Sequence, residues 1–177
     1  ADLQLNKHAY DPSRMRNKLA MDLLAALPDL TAPKTWFRTL SIDGIDQGFY
    51  TDVERVDKRF LAAHGLDAAG WLYKAEEFEF QREPEVLKDE TAPGYDDKAF
   101  SAKLDPLGAK GHAPLLAMLD AVNDEDAPID QALDRHFDRA NFVTWLAANV
   151  MADNMDTNSQ NFYLYLPPAG GKWRFIC

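Results

Sequence analysis

The hydrophobic and polar positions between residues 137 and 176 predict a helix, a polar loop and a β-hairpin. The helix is expected from about Phe137 to Ala152, and its apolar residues cover most of its circumference, which predicts that it is buried on all sides. The polar run 153–161 interrupts this pattern, and the strand-like segments 162–166 and 172–176 follow on either side of a Pro-Pro-Ala-Gly-Gly turn. A polar loop between two rigid elements is a typical place for catalytic residues.

The N-terminal part of the chain predicts one amphipathic helix and several strands. The helix is expected to begin at Asp11-Pro12 and to end at Pro28, with an apolar stripe at intervals of four residues: Met15, Leu19, Leu23 and Leu27. Segments 35–42 and 49–53 flank turn residues and predict an antiparallel hairpin, which a helix ending at His64 and a strand at 70–74 follow.

Residues 81–111 are rich in charge, proline and glycine without periodicity, and they predict a long loop with a lid or substrate-contact role. A helix is expected over 113–123 and a short one from Ile129. The chain therefore divides into a strand-rich portion at about 1–80, the long loop, and a mainly helical portion at 112–177 that carries the polar loop and the hairpin.

Composition narrows the class of protein. The 177 residues are 46% hydrophobic and 27% charged, as in soluble globular domains. The net charge of −10 argues against a nucleic-acid partner, and it requires that any anionic nucleotide be held by local cations and a metal. No apolar run is long enough to predict a membrane span. The single cysteine and the four histidines show no metal-ligand spacing.

Within the polar loop, Asp156 and Asn161 have the Asp-x-x-x-x-Asn spacing of a protein-kinase catalytic loop. A carboxylate can orient the attacking hydroxyl and accept its proton, and an amide oxygen can coordinate Mg²⁺ without adding charge. The alternative is that both residues only form Asx turns and cap backbone groups.

The residues around this pair resemble the CotH family of spore-coat kinases. The segment Asn154-x-Asp156-x-x-x-x-Asn161-Phe-Tyr-Leu-Tyr, followed by Gly-Lys-Trp-Arg-Phe-Ile at 171–176, carries the resemblance. Two further blocks match in the same order: 11–23, and 48–61 with 70–74 after it. The resemblance implies an α+β, protein-kinase-like fold, phosphate transfer from ATP to Ser or Thr of a protein such as a coat protein, and a spore-coat or secreted, cell-surface location.

The resemblance also implies site residues. Asp156 would be the catalytic residue, Asn161 would bind Mg²⁺, and the segment Glu54, Arg55 and Val56 would be the hinge that contacts adenine. The hinge segment is equally consistent with a simple junction between a strand and a helix that carries solvated charges.

Two lysines are candidates for contact with the nucleotide. Lys18 lies off the apolar stripe of the first helix, where a solvated charge is the usual interpretation. Lys74 ends the strand at 70–74, where a surface lysine paired with Glu76 is the favoured interpretation and a phosphate contact is the alternative.

One departure from the family pattern affects the expected activity. In the family an Asp that holds Mg²⁺ follows the hairpin at once, whereas this sequence stops at Cys177, and the upstream phosphate-binding lysine is not found either. We therefore expect a fragment cut at both ends, nearly inactive alone. The alternative is a non-catalytic coat or cell-surface interaction module, and a carbohydrate-associated extracellular module is a third interpretation. The presence of both Asp156 and Asn161 weighs against a module without catalysis.

Overall fold

A computed structural model describes residues 3–177, which form an α+β fold with two antiparallel sheets and several helices. The strands are β1 Leu5–Asn6, β2 Thr35–Ile42, β3 Ile45–Val53, β4 Trp71–Ala75, β5 Leu104–Pro106, β6 Tyr163–Leu166 and β7 Arg174–Ile176. The helices are α1 Arg16–Ala26, α2 Lys58–Ala63, α3 Asp97–Lys103, α4 Ala113–Val122, α5 Ile129–His136 and α6 Arg139–Met151, with a 3₁₀ turn at Met155–Asn158. None of the helices in this part of the chain is long and apolar enough to cross a membrane.

The first sheet has the strand order β1-β3-β2 and confirms the predicted N-terminal hairpin. Strands β2 and β3 pair from Thr35 opposite Val53 to Ile42 opposite Ile45, with a register shift between Leu40 and Ser41. Gly44 in the turn has φ of +79°, a conformation that glycine adopts at little cost.

Helix α1 differs from the prediction in its start and in its orientation. Asp11 is not the N-cap residue, which is Met15, but its carboxylate accepts hydrogen bonds from the N–H of Ser13 in the preceding turn and from that of Arg16, the first residue of α1. The predicted apolar stripe was expected to be buried, but Met15, Leu19 and Leu23 are all exposed, and no buried residue lies in α1. The side of the helix that carries Lys18 faces β2 instead. The Lys18 ammonium group lies over the ring of Phe37, a residue of β2.

The second sheet has the order β5-β4-β6-β7 and forms the centre of the molecule. It joins the strand-rich and the helical portions, because β4 pairs with β6 from Trp71 opposite Leu166 to Lys74 opposite Tyr163. The predicted C-terminal hairpin is confirmed as β6 and β7. One core cluster covers each face of this sheet, and the larger one is rich in aromatic residues that include Tyr73, Phe78, Phe100, Phe137, Trp145, Phe162, Trp173 and Phe175.

The segment 81–111 is not the continuous loop that the sequence predicts, since it contains α3 and β5. Asp96 caps α3 by accepting hydrogen bonds from the N–H groups of Lys98 and Ala99, and β5 then pairs with β4. Gly108 lies so close to β4 that a Cβ atom there would collide with the backbone nitrogen of Leu72. The segment is therefore held against the central sheet.

Helix α6 is the largest departure from the prediction. The sequence predicts a helix buried all round, yet Val143, Leu146, Val150 and Met151 are exposed. The three buried residues of α6 are Asn141, Trp145 and Asn149, which recur every four residues along one face. The helix therefore buries a stripe that contains two amides, while its aliphatic side chains lie at the surface.

Candidate functional site

The loop that joins α6 to β6 is anchored at both ends. At its start, the Asn154 side chain donates a hydrogen bond to Asn149 Oδ1 over 2.9 Å. At its end, the N–H of Asn161 donates to the carbonyl of Ala75 in β4, and the N–H of Phe78 donates to the carbonyl of Ser159. The backbone at Asn161 is left-handed, with φ of +63°, a conformation that Asn tolerates better than most residues.

Asp156 and Asn161 are exposed, and neither side chain has a hydrogen bond or an ion pair with another residue in 3–177. These side chains therefore do not form the Asx turns or caps that the alternative interpretation predicts. Other aspartates do perform that role, since Asp57, Asp96 and Asp138 cap α2, α3 and α6. The carboxylate of Asp156 and the amide of Asn161 are left available to a ligand.

A cavity of about 590 Å³ brings together three of the five residues predicted to bind a nucleotide: Arg55, Val56 and Lys74. Its remaining lining residues are Leu3, Gln4, Asp57, Lys58, Arg59, Asp105, Leu107 and Tyr163. Four cationic side chains and two carboxylates line it, with Arg59 paired to Asp57 and Lys74 to Glu76, in a protein whose net charge is −10. The volume lies within the range of small-molecule sites, and the local excess of positive charge suits an anionic ligand.

Lys74 is also paired as its surface alternative predicts. Its ammonium group lies 2.6 Å from Glu76 Oε1, and about a third of the Lys74 side chain is exposed. An ion pair between partly exposed groups contributes little stability, about 0–1 kcal/mol, so a phosphate can compete with Glu76 for this lysine.

The other two candidates do not line this cavity. Glu54 has a structural role, because its carboxylate accepts a hydrogen bond from the N–H of Lys34 and lies 3.0 Å from His64 Nε2. Lys18 forms an ion pair with Asp22 one turn along α1, at 2.8 Å. Glu54 nevertheless adjoins the cavity, because it lines a neighbouring pocket together with Arg55 and Arg59.

The cavity and the loop adjoin through two paired strands. Lys74 lies opposite Tyr163 in the β4–β6 register, and the next residue in β4, Ala75, accepts the hydrogen bond from Asn161. Tyr163 was not predicted as a site residue, although its position two residues after Asn161 at the start of a strand is a usable signal. Burial raises the pKa of Tyr163 to about 12, so its hydroxyl group stays neutral at physiological pH.

An apolar groove of about 480 Å³ lies on the other side of the loop. Its walls combine helical side chains such as Leu133, Leu146 and Val150 with loop residues 153–155, 157 and 158. The indole N–H of Trp145, which also lines the groove, is buried and has no hydrogen-bond partner among residues 3–177. Neither Asp156 nor Asn161 lines this groove.

No group of three or more His, Cys, Asp or Glu residues within 3–177 could hold a metal ion. Asn161, the residue predicted to bind Mg²⁺, has its amide exposed on the loop.

Comparison with known proteins defines the class to which this fold and loop belong. A family model described as CotH kinase protein matches residues 1–177, so the chain belongs to the CotH kinase family. Among curated proteins it is similar to inner spore coat protein H of Bacillus subtilis (strain 168), with 28% identity over 180 residues. That alignment covers 99% of this chain and 48% of the relative, so the chain spans about half the length of the curated protein it matches.

Proposed function

We propose that this chain supplies the nucleotide cavity and the catalytic loop of an ATP-dependent phosphotransferase that phosphorylates Ser or Thr on a protein partner. The observation that carries the proposal is the placement of Lys74 and its neighbours. A cation-rich cavity adjoins, through β4, a loop whose Asp156 and Asn161 side chains are unpaired and exposed. This arrangement suits a reaction that depends on positioning and on neutralisation of charge.

In the proposed mechanism each residue has a separate task. Bound ATP supplies the phosphoryl group, and bound Mg²⁺ supplies positive charge that offsets the phosphates. Asp156 accepts a hydrogen bond from the acceptor hydroxyl, orients it and takes its proton. Asn161 offers its amide oxygen to the metal, and Lys74 attracts phosphate oxygens.

The cavity supports contacts to the base as well as to the phosphates. In the hinge segment the side chain of Arg55 is exposed to solvent and that of Val56 is buried in the core. We propose that its backbone contacts adenine and that Tyr163 packs against the base. We also propose that the two sheets are arranged as in protein kinases, that the protein is located in the spore coat, and that its substrate is a coat or surface protein. These proposals are supported by family membership and by the name of the relative.

A non-catalytic interaction module is the second candidate. The apolar groove and the exposed aliphatic face of α6 favour it, because such surfaces commonly bind other polypeptides. This candidate gives no role to the cationic cavity or to the unpaired Asp156.

The decisive experiment is titration of the protein with MgATP in a calorimeter, followed by a transfer assay with radiolabelled ATP. We expect binding by the wild type, unchanged binding by Asp156→Asn, and loss of phosphoryl transfer in that variant. Absence of nucleotide binding by the full-length protein would refute the phosphotransferase and support the interaction module.

A further inference from the structure

The amide of Asn149 connects α6 to the loop that carries Asp156. Asn149 is 7% exposed and lies in the last turns of α6. Its Nδ2 donates a hydrogen bond to the carbonyl of Trp145 over 2.8 Å, and its Oδ1 accepts one from Asn154 Nδ2 over 2.9 Å. Both ends of the buried amide are therefore occupied.

The polarity of these two bonds restricts which residue can form them. A main-chain carbonyl only accepts, so the end of the side chain that faces Trp145 must be a donor. The opposite end must accept, because the Asn154 amide group donates to it. Leucine has a similar size but does neither, and an ionised aspartate can accept but cannot donate.

The connection continues from Asn154 towards Asp156. The N–H of Asn154 donates to the Asn149 carbonyl over 3.0 Å, and the Thr157 hydroxyl donates to the Asn154 carbonyl over 2.8 Å. Thr157 is buried, whereas Asp156 between these anchored residues is exposed and has no side-chain partner within 3–177. The place of the Asp156 carboxylate is consequently set by its neighbours and not by contacts of its own.

The second half of the loop has a different support. Ser159 and Asn161 are bound to the backbone that runs through β4 to Phe78, and none of those bonds involves Asn149. Asp156 is thus supported chiefly through α6 and Asn161 through β4, and the N–H groups of Ser159 and Gln160, which donate to the Asp156 carbonyl, join the two halves of the loop.

We propose that Asn149 is a positioning residue, which acts through Asn154 and Thr157 to place the Asp156 carboxylate relative to Asn161 and the nucleotide cavity. This inference rests on the proposed function, because it assigns Asn149 a part in phosphoryl transfer. Loss of the Asn149 anchor changes the position of Asp156 but leaves the cavity and Asn161 in place. A displacement of about 1 Å between reacting groups can lower a rate by about 10²-fold.

The test compares Asn149→Leu with Asn141→Leu in the full-length protein. Asn141 is a matched control, since it is a buried amide on the same face of α6 that binds Phe175 and not the loop. We expect both variants to melt at lower temperature. Only Asn149→Leu should lower kcat, by about 10²-fold, while its KM for ATP stays within about twofold of the wild-type value.

The variant Asn149→Asp adds a signature that a merely structural role would not produce. A protonated carboxyl group can donate to the Trp145 carbonyl and accept from Asn154, as the native amide does. The kcat of this variant, divided by the wild-type kcat at each pH, should therefore rise as the pH falls. Equal losses of kcat in Asn149→Leu and Asn141→Leu, or a flat ratio for Asn149→Asp, would overturn the proposal.

Hydrogen exchange of the loop separates this inference from the proposed function. Asn149→Leu should accelerate exchange of the backbone amide of Asn154, which donates to the Asn149 carbonyl, and leave the amide of Asn161, which donates to Ala75, protected. Unchanged exchange at Asn154 contradicts the anchor whether or not the protein transfers phosphate. If the wild type transfers no phosphate, the proposed function and the catalytic role of Asn149 fail together, and accelerated exchange then supports only a structural anchor.

Discussion

Asn141 and Phe175 are joined by two reciprocal hydrogen bonds. The N–H of Phe175 donates to Asn141 Oδ1 over 2.6 Å, and Asn141 Nδ2 donates to the carbonyl of Phe175 over 3.0 Å. The side chain thereby offers β7 what the backbone of another strand would offer, at the outer edge of the sheet between the isolated bridges of Trp173 with Phe137 and of Ile176 with Thr31. Asn141 Nδ2 also donates to the carbonyl of Asp29, which ties the segment after α1 to the same point.

Substitution of this amide should reduce stability strongly. Asn141→Leu leaves the N–H of Phe175 without its partner and removes the donor that serves two carbonyls. Because each stranded buried group costs about 1–3 kcal/mol, we expect the free energy of unfolding to fall by about 3 kcal/mol in urea denaturation. Gln131→Leu is the matched control, since it removes an exposed helical amide, and its expected change is within about 0.5 kcal/mol. Equal effects of the two substitutions would contradict the role of Asn141.

The stability of the protein should decrease in acid because His112 is buried. Its ring lies between two tyrosines, with Tyr73 Oη at 2.9 Å from Nδ1 and Tyr95 Oη at 3.3 Å from Nε2. Burial lowers the pKa of His112, although the carboxylates of Glu90, Asp89 and Asp97 act in the opposite direction. The unfolded chain then binds the proton more tightly, so the free energy of unfolding falls as the pH drops below about 6.5.

The contribution of His112 can be isolated by comparison of variants. Urea denaturation between about pH 8 and about pH 5 should show a weaker pH dependence for His112→Phe than for the wild type. The wild-type slope also includes His136, whose pKa is lowered by burial and by Arg135, so only the difference between the proteins reports on His112. Leu119→Ala, in the same core, should lower stability at every pH and leave the slope unchanged. An unaltered slope in His112→Phe would show that its protonation is not linked to folding.

Removal of the lysine in the cation-rich cavity should weaken nucleotide binding. Lys74→Met removes a charged donor to phosphate, and we expect the Kd for MgATP to rise about tenfold in calorimetric titration. Lys172→Met changes the net charge equally at an exposed position outside the cavity and should leave the Kd unchanged. Equal effects of the two variants would mean that only the overall field attracts the nucleotide.

The apolar groove beside the loop should bind a fluorescent hydrophobic dye. We expect enhanced emission from anilinonaphthalene sulfonate with the native protein and a reduced signal for Leu146→Asp, because Leu146 lines the groove. Val143→Asp places the same charge on the same helix outside the groove and should retain the signal. Both sites are exposed, so the two variants should differ little in stability, and a lost signal in both would assign the dye to another surface.

The strands were predictable because their signals are local. Turn residues separate alternating or aromatic segments in both hairpins, and β2, β3, β6 and β7 form where those signals lie. Helix α3 also had a local signal that was missed, namely Asp96 as an N-cap and Lys103 in the last turn. The charge, proline and glycine around it concealed a helix of only seven residues.

The orientation of the helices was not predictable, since it depends on distant partners. In α1 the apolar stripe is exposed because the Lys18 side of the helix packs on β2. In α6 apolar residues lie on every face, so hydropathy favours no side for burial. Asn141 faces inward because its amide pairs with the edge of β7. Hydropathy cannot reveal such a partner, because it scores an asparagine as polar whether or not its amide binds the edge of a strand in the folded protein.

The same limit applies to the site. The spacing predicted Asp156 and Asn161 on one loop. Arg55, Val56 and Lys74 were predicted separately, as part of a hinge and at the end of a strand, and the structure places them in one cavity. The side chains of Lys18 and Glu54 do not line that cavity. Lys18 pairs with Asp22, and Glu54, beside Arg55, binds His64 and the Lys34 backbone. The kinase-like arrangement of the whole fold and the roles of these residues stay predictions.

The buried amides of α6 have a consequence for how this helix tolerates genetic variation. In a saturation mutagenesis library selected for folding of these 177 residues, the usual ranking of helix positions should be reversed. Asparagine codons at 141 and 149 should accept almost no replacement, while the exposed aliphatic positions 143, 150 and 151 should accept polar residues freely. A hydropathy profile predicts the opposite, namely tolerant asparagines and intolerant aliphatic positions. Neutral substitutions in this helix should therefore keep its two buried amides and replace its exposed apolar residues with polar ones.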